Sequence, residues 1–290
     1  MKIAYVAGYG RSGSTLLERI LAAAPRTIGA GEVRNLLWLD DPEHRCACGE
    51  RLTECPVWGP VVHAIEPVIQ QYGRERLVRA QVASEAFTPR GFVGSDREAN
   101  AELLRALYGA LGQAADTIID SSKTDRLSAR RPAAMRRAGL DVRVVHLVRD
   151  PRGCLASTRK GDNRKLERGE PADIPFVHAR TTLSWLLANG AAETLSRRHR
   201  VRYEDLVRDA ETVLRELGTF LEIDVEPCLE ALASGELPPA HQLTGNRMRN
   251  QRRVKLRADE AWRERLSWLD RLTVAAVDGG LAWRYGYSLP

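Results

Sequence analysis

Lys2-Ile3-Ala4-Tyr5-Val6-Ala7-Gly8-Tyr9-Gly10-Arg11-Ser12-Gly13-Ser14-Thr15-Leu16-Leu17 decides the fold class of this chain. Residues 2–7 are a short apolar run, the signature of a buried strand. A glycine-rich turn follows, and beyond it Leu16, Leu17, Ile20 and Leu21 recur at helical spacing until Pro25 ends the run. Strand, glycine turn and helix N-terminus in that order make an anion cradle, because the turn amides and the positive helix end point at one spot. Gly8 and Gly13 fall on the glycines of the P-loop pattern, and Thr15 on its closing Ser/Thr. Ser14 stands where that pattern has lysine, so the positive side chain of this loop is Arg11.

Working outward, short strands are predicted at residues 27–29, 117–120, 141–148 and 200–203. Helical spacing covers residues 63–71, 74–87, 97–113, 176–198, 208–221 and 258–277. Strands alternating with helices predict an α/β fold, a P-loop-like parallel β-sheet flanked by helices on both faces. The expected organisation is one domain over residues 1–290 with a helical and loop insertion at about 40–100. Residues 161–173 read as a mobile loop, and residues 238–257 as irregular and basic. Ligands of such a sheet sit at the carboxyl ends of its strands, which brings residues 10–15, 121–123 and 149–157 to one edge.

A net charge of +6 suits anionic ligands, but the arginines are scattered rather than gathered in one stripe, which argues against nucleic acid. The apolar start is too short for a signal peptide and no run is long enough to span a bilayer, so a cytoplasmic chain with no membrane partner is expected.

Arg149-Asp150-Pro151-Arg152 follows the 141–148 strand, with Asp150 able to cap a helix and Pro151 to open it. Ser157 lies about two turns along. Arginine and a hydroxyl at that separation can clamp a phosphate through a bidentate charged grip and one further donor.

The loop Arg11-Ser12-Gly13-Ser14-Thr15 resembles the 5′-phosphosulfate loop of sulfotransferases that use 3′-phosphoadenosine 5′-phosphosulfate (PAPS). The Arg149 and Ser157 pair resembles their 3′-phosphate site. The resemblance implies a PAPS donor held by Arg11, the amides of Ser12, Gly13, Ser14 and Thr15, and by Arg149 and Ser157, with adenosine 3′,5′-bisphosphate (PAP) as product and no metal in the reaction. It implies transfer to a hydroxyl of a small-molecule acceptor, which could be a natural product, a carbohydrate or a lipid. Glu32 occupies the place of the glutamate base of tyrosylprotein and several bacterial members, and His241 ranks behind it. Lys123, after Asp120-Ser121-Ser122, matches a lysine suited to charge on the leaving oxygen, and Arg11 assists. Asn246, Arg247 and Arg249 resemble a late segment that closes over the nucleotide. The chain departs from the family pattern at Ser14, where threonine is usual. A P-loop kinase or NTPase without its lysine, and a non-catalytic adenylate-binding module, are the competing classes.

Cys46, Cys48 and Cys55, with His44 or His63, could ligate zinc, but their spacing is not a paired CxxC arrangement. A local disulfide is a second option. The preferred reading is three reduced thiols shaping a loop over the acceptor pocket.

Overall fold

The computed structural model describes residues 1–39, 41, 43–86, 96–123, 128–161, 174 and 176–289. Five strands, β1 (Lys2–Ala7), β2 (Thr27–Gly31), β3 (Thr117–Asp120), β4 (Val142–Val148) and β5 (Arg198–Arg202), form one sheet in the order β2-β3-β1-β4-β5. Every pairing is parallel. A parallel sheet needs crossovers that cover both faces, so its central strands are apolar on both sides.

Alternation along β1 divides the core. Ile3, Tyr5 and Ala7 face a cluster with Ile118, Val142 and Val144 under helices α2 (Trp58–Tyr72), α3 (Arg74–Glu85), α4 (Asp96–Ala114) and α5 (Arg131–Arg137). Ala4 and Val6 face the other way, with Ile119, Val145 and Leu147, onto Leu17, Ile20 and Leu21 of α1 (Ser14–Leu21). That second face is completed by Val213, Leu214, Leu217 and Leu221 of the helix Ala210–Leu221. His146 is buried in β4, where its Nε2 lies 3.0 Å from Asn189 Oδ1, and burial lowers its pKa to about 4. It is the neutral core histidine that an apolar strand predicts.

Several boundaries differ from the sequence reading for local reasons. The strand placed at residues 200–203 is Arg198–Arg202, a polar edge strand that lacks the apolar run used to find the others. The single helix expected at residues 258–277 is instead two helices, Trp262–Arg265 and Trp268–Arg284, the second started by a capping box between Ser267 and Asp270. Asp209 divides Tyr203–Arg208 from Ala210–Leu221 by capping the latter. The helix Glu226–Ser234 is an addition to the elements predicted from periodicity. Beyond Gly161, the loop predicted at residues 161–173 lies outside the described residues. Among the described residues, no helix is long and apolar enough to cross a membrane.

Candidate active site

All five strands deliver residues to one open cleft of about 850 Å³ at their carboxyl ends: Arg11 after β1, Glu32 after β2, Lys123 after β3, Arg149 after β4 and Tyr203 after β5. The turn after β1 needs its glycines. At Gly8 (φ +119°) a Cβ would lie 2.3 Å from the Leu147 carbonyl oxygen of β4. At Gly13 (φ +91°) it would meet the Tyr203 ring at 2.6 Å. Gly13 carries no side chain to cap α1, and Ser14 and Thr15 of its first turn line the cleft. Arg11 takes a left-handed conformation (φ 69°) that costs a non-glycine residue about 1 kcal/mol. Its guanidinium donates to the Gly161 carbonyl at 2.7 Å, and its own carbonyl accepts from Arg149 Nη1 at 2.8 Å.

Arg149 is almost fully buried yet opens onto the same cleft as Ser157. Its guanidinium lies 4.5 Å over the Tyr203 ring and pairs with Asp259 at 2.9 Å. Burial raises the Asp259 carboxyl, but the bond and charge of Arg149 outweigh it and leave that group below its ordinary value. The helix Pro151–Thr158 opens as the sequence predicts, with Asp150 accepting from the Arg152 amide at 2.8 Å. Glu204 fixes this corner, accepting from the Asp150 amide at 3.0 Å and from the Tyr287 hydroxyl at 2.6 Å.

Across the cleft, Glu32 and Lys123 form an ion pair, each about one-fifth exposed. Asn35 donates to the other Glu32 oxygen at 2.8 Å and to Thr244 Oγ1 at 3.0 Å. Lys123 takes a left-handed conformation (φ 65°), and its carbonyl accepts from the Tyr5 hydroxyl and from Ser128 Oγ at 3.0 Å. Beneath the cleft, buried Glu18 of α1 accepts from Ser121 Oγ at 2.6 Å, from Gln242 Nε2 at 2.6 Å and from the Gly31 amide. Burial lifts its pKa to about 7.

The sequence profile of the sulfotransferase family matches residues 4–227. This chain belongs to that family. Mouse carbohydrate sulfotransferase 5 is 30% identical over 171 residues, 51% of this chain and 42% of that protein, so the chain spans about two-fifths of that relative. The sulfotransferase domain from the curacin biosynthetic pathway superposes with a TM-score of 0.53 at 19% identity, over 100% of this chain and 99% of that one. The sulfotransferase domain of the Synechococcus PCC 7002 olefin synthase gives 0.55 at 21%, over 100% and 96%. At those identities the two structures show the shared fold.

This sulfotransferase-family chain brings most of the sequence-selected residues together. Arg11, Gly13, Ser14, Thr15, Glu32, Lys123, Arg149, Ser157, Asn246 and Arg249 all line the cleft. Ser12 turns inward, 1% exposed and with its Oγ 3.9 Å from Cys154 Sγ, and it does not line the cleft with the others. The Asn246 side chain caps Arg247–Asn250, accepting from the Met248 amide at 3.1 Å. The Arg247 side chain lies outside the described residues. His241, the second choice for base, faces the cysteine cluster instead. Asn35, Thr244, Asp259 and Glu18 are site residues that sequence reasoning does not find. Asn35 stands one turn after Glu32, a spacing that could have suggested it. The contact of Asp259 with Arg149 spans 110 residues and leaves no local signal.

Proposed function

We propose that this chain transfers a sulfuryl group from PAPS to a hydroxyl of a small-molecule acceptor by in-line displacement, with Glu32 as general base and PAP as product. The reading rests on one observation: a glycine-rich turn at a helix start, a buried arginine, a serine and a carboxylate–ammonium pair all line one cleft. A donor with phosphate at two ends suits these residues. The glycine turn and the start of α1, whose Ser14 and Thr15 line the cleft without a side-chain cap from Gly13, suit the 5′ end, and Arg11 lines the same cleft. Arg149 and Ser157 suit the 3′-phosphate, which would displace Asp259 from Arg149.

In the reaction the acceptor oxygen bonds to sulfur as its proton passes to Glu32. The bond from sulfur to the 5′-phosphate oxygen breaks, and the electron pair leaves with PAP. Asn35 holds Glu32 in place. A proton arriving on Glu32 weakens its hold on Lys123, whose charge then serves the leaving oxygen. Trp38, Leu39 and His44 line the cleft along with Glu32 and offer the acceptor an amphipathic wall. Natural products, carbohydrates and lipids all carry suitable hydroxyls, and similarity to a protein named a carbohydrate sulfotransferase supports the sugar class.

Calorimetry with PAP, against ADP with magnesium, tests the donor. PAP should bind more tightly, and Arg149→Ala should weaken it by tenfold or more, about 1.4 kcal/mol. Equal or tighter ADP binding would return the chain to phosphoryl-transfer or nucleotide-hydrolysing chemistry. Glu32→Gln should lower kcat by roughly 10²–10⁴ and leave PAP affinity unchanged.

A further inference from the structure

Away from the cleft floor, the loop that precedes α2 meets the segment that leads into Thr244. Cys46, Cys48, Cys55 and His241 there each present one ligand atom, all within 4.8 Å of one another. Cys48 Sγ is 3.7 Å from Cys55 Sγ, and His241 Nδ1 is 3.4 Å from Cys55 Sγ and 3.9 Å from Cys46 Sγ. A tetrahedral zinc, with Zn–S about 2.3 Å and Zn–N about 2.0 Å, has S···S edges of about 3.8 Å and S···N edges of about 3.5 Å. These three spacings lie close to those edges, and the remaining pairs lie within 4.8 Å. A disulfide would need about 2.05 Å, and all these thiols are unbonded.

The backbone is shaped for the same purpose. Gly49 (φ +97°) closes a tight turn in which its amide donates to the Cys46 carbonyl at 2.9 Å, while Arg45 and Arg51 form an antiparallel bridge. The Cys46 amide donates to the Glu50 carbonyl at 2.9 Å and the Cys55 amide to the Arg51 carbonyl at 2.9 Å, which fixes the backbone on both sides of the turn. Trp58 Nε1 donates to the His241 carbonyl and holds that residue against the turn. The two histidines considered on sequence grounds are engaged elsewhere. His44 Nε2 lies 2.8 Å from the Leu243 carbonyl oxygen, and His63 Nδ1 lies 2.8 Å from that of Gly59.

We propose that Cys46, Cys48, Cys55 and His241 form a closed structural zinc site. Four protein ligands fill a tetrahedron and leave no position for substrate, so the metal acts on shape. It ties the loop carrying His44 to the segment carrying Thr244 and Asn246, which line the cleft with Glu32. Ala47 and Gln242 already hydrogen-bond across this join at 3.2 Å.

The protein, prepared without an affinity histidine tract or added metal, should carry about one zinc per chain by elemental analysis. Titrating the thiols with an organomercurial should release it. Cobalt(II) returned to stripped wild-type protein should give tetrahedral ligand-field bands with a sulfur-to-metal charge-transfer band. His241→Ala and Cys55→Ser should lose most of the metal, and Cys228→Ser should keep it. Wild-type protein without metal whose cobalt form shows no thiolate band would overturn the site. So would a Cys48–Cys55 disulfide in peptide mapping of freshly prepared protein, or equal metal loss in Cys228→Ser. Stripping and restoring the wild type decides between these outcomes even where a substituted chain fails to fold.

Discussion

Two substitutions at the corner of the cleft formed by Gly13, Arg149 and Tyr203 separate shape from charge. Gly13→Ala adds a methyl group 2.6 Å from the Tyr203 ring at a backbone angle that L-residues avoid, with a cost of about 1–3 kcal/mol. PAP binding should fall at least tenfold, measured by calorimetry, while the far-ultraviolet circular dichroism stays as in the wild type. Arg149→Lys keeps the charge but loses the planar fork that spans the Arg11 carbonyl and Asp259. It should weaken PAP by about tenfold, and a wild-type affinity in this variant would remove Arg149 from the donor site. At this scale the sequence is informative where chemistry is compact: the arginine, serine and glycine of each loop are near neighbours in the chain. It is silent on the Arg149–Asp259 pair, and no spacing rule reaches across 110 residues.

Elements are joined by buried polar contacts as much as by apolar ones. Arg131 of α5, 1% exposed, pairs with Glu85 of α3 at 2.6 Å and donates to the Tyr108 hydroxyl of α4 at 3.1 Å. Tyr108 in turn donates to Asp120 at the end of β3. Asp120 accepts from the Ser122 amide at 2.8 Å, so this network sets the backbone that leads into Lys123. Arg131→Met leaves Glu85 buried opposite only the more distant Arg34, and should cost about 3–5 kcal/mol in denaturant unfolding. Arg131→Met combined with Glu85→Leu should recover part of that loss, because no uncompensated charge then remains at Glu85. Ser267→Ala removes the cap that restarts the chain at Trp268–Arg284 and should cost about 1 kcal/mol. Apolar strands and amphipathic helices can be read in the sequence because their periodicity is local. The edge strand Arg198–Arg202 is misplaced by that reading because one neighbour and a solvent edge impose no apolar pattern on it.

Across the whole molecule, Glu18 joins α1, the end of β2, the end of β3 and the segment at Gln242. Burial raises its pKa to about 7, against an ordinary value of 4.5, so the folded state holds a proton that the unfolded chain releases earlier. The stability linked to this proton is fully present below about pH 4.5 and is lost as pH rises through about 7, by on the order of 3 kcal/mol at most. The difference in unfolding free energy between wild type and Glu18→Gln should therefore shift against the wild type between pH 4.5 and 7, and a flat difference would contradict the raised pKa. The sequence by itself determined the parallel α/β class, the glycine-rich turn between β1 and α1, and the helix start that carries Arg149 and Ser157 to the cleft, because each is written within a few consecutive turns of chain. Only the tertiary structure decided that Glu32 meets Lys123 across 91 residues and that His241, 186 residues from Cys55, completes the cysteine cluster. Periodicity records which face of an element is buried, whereas the strand order β2-β3-β1-β4-β5 chooses which loops become neighbours.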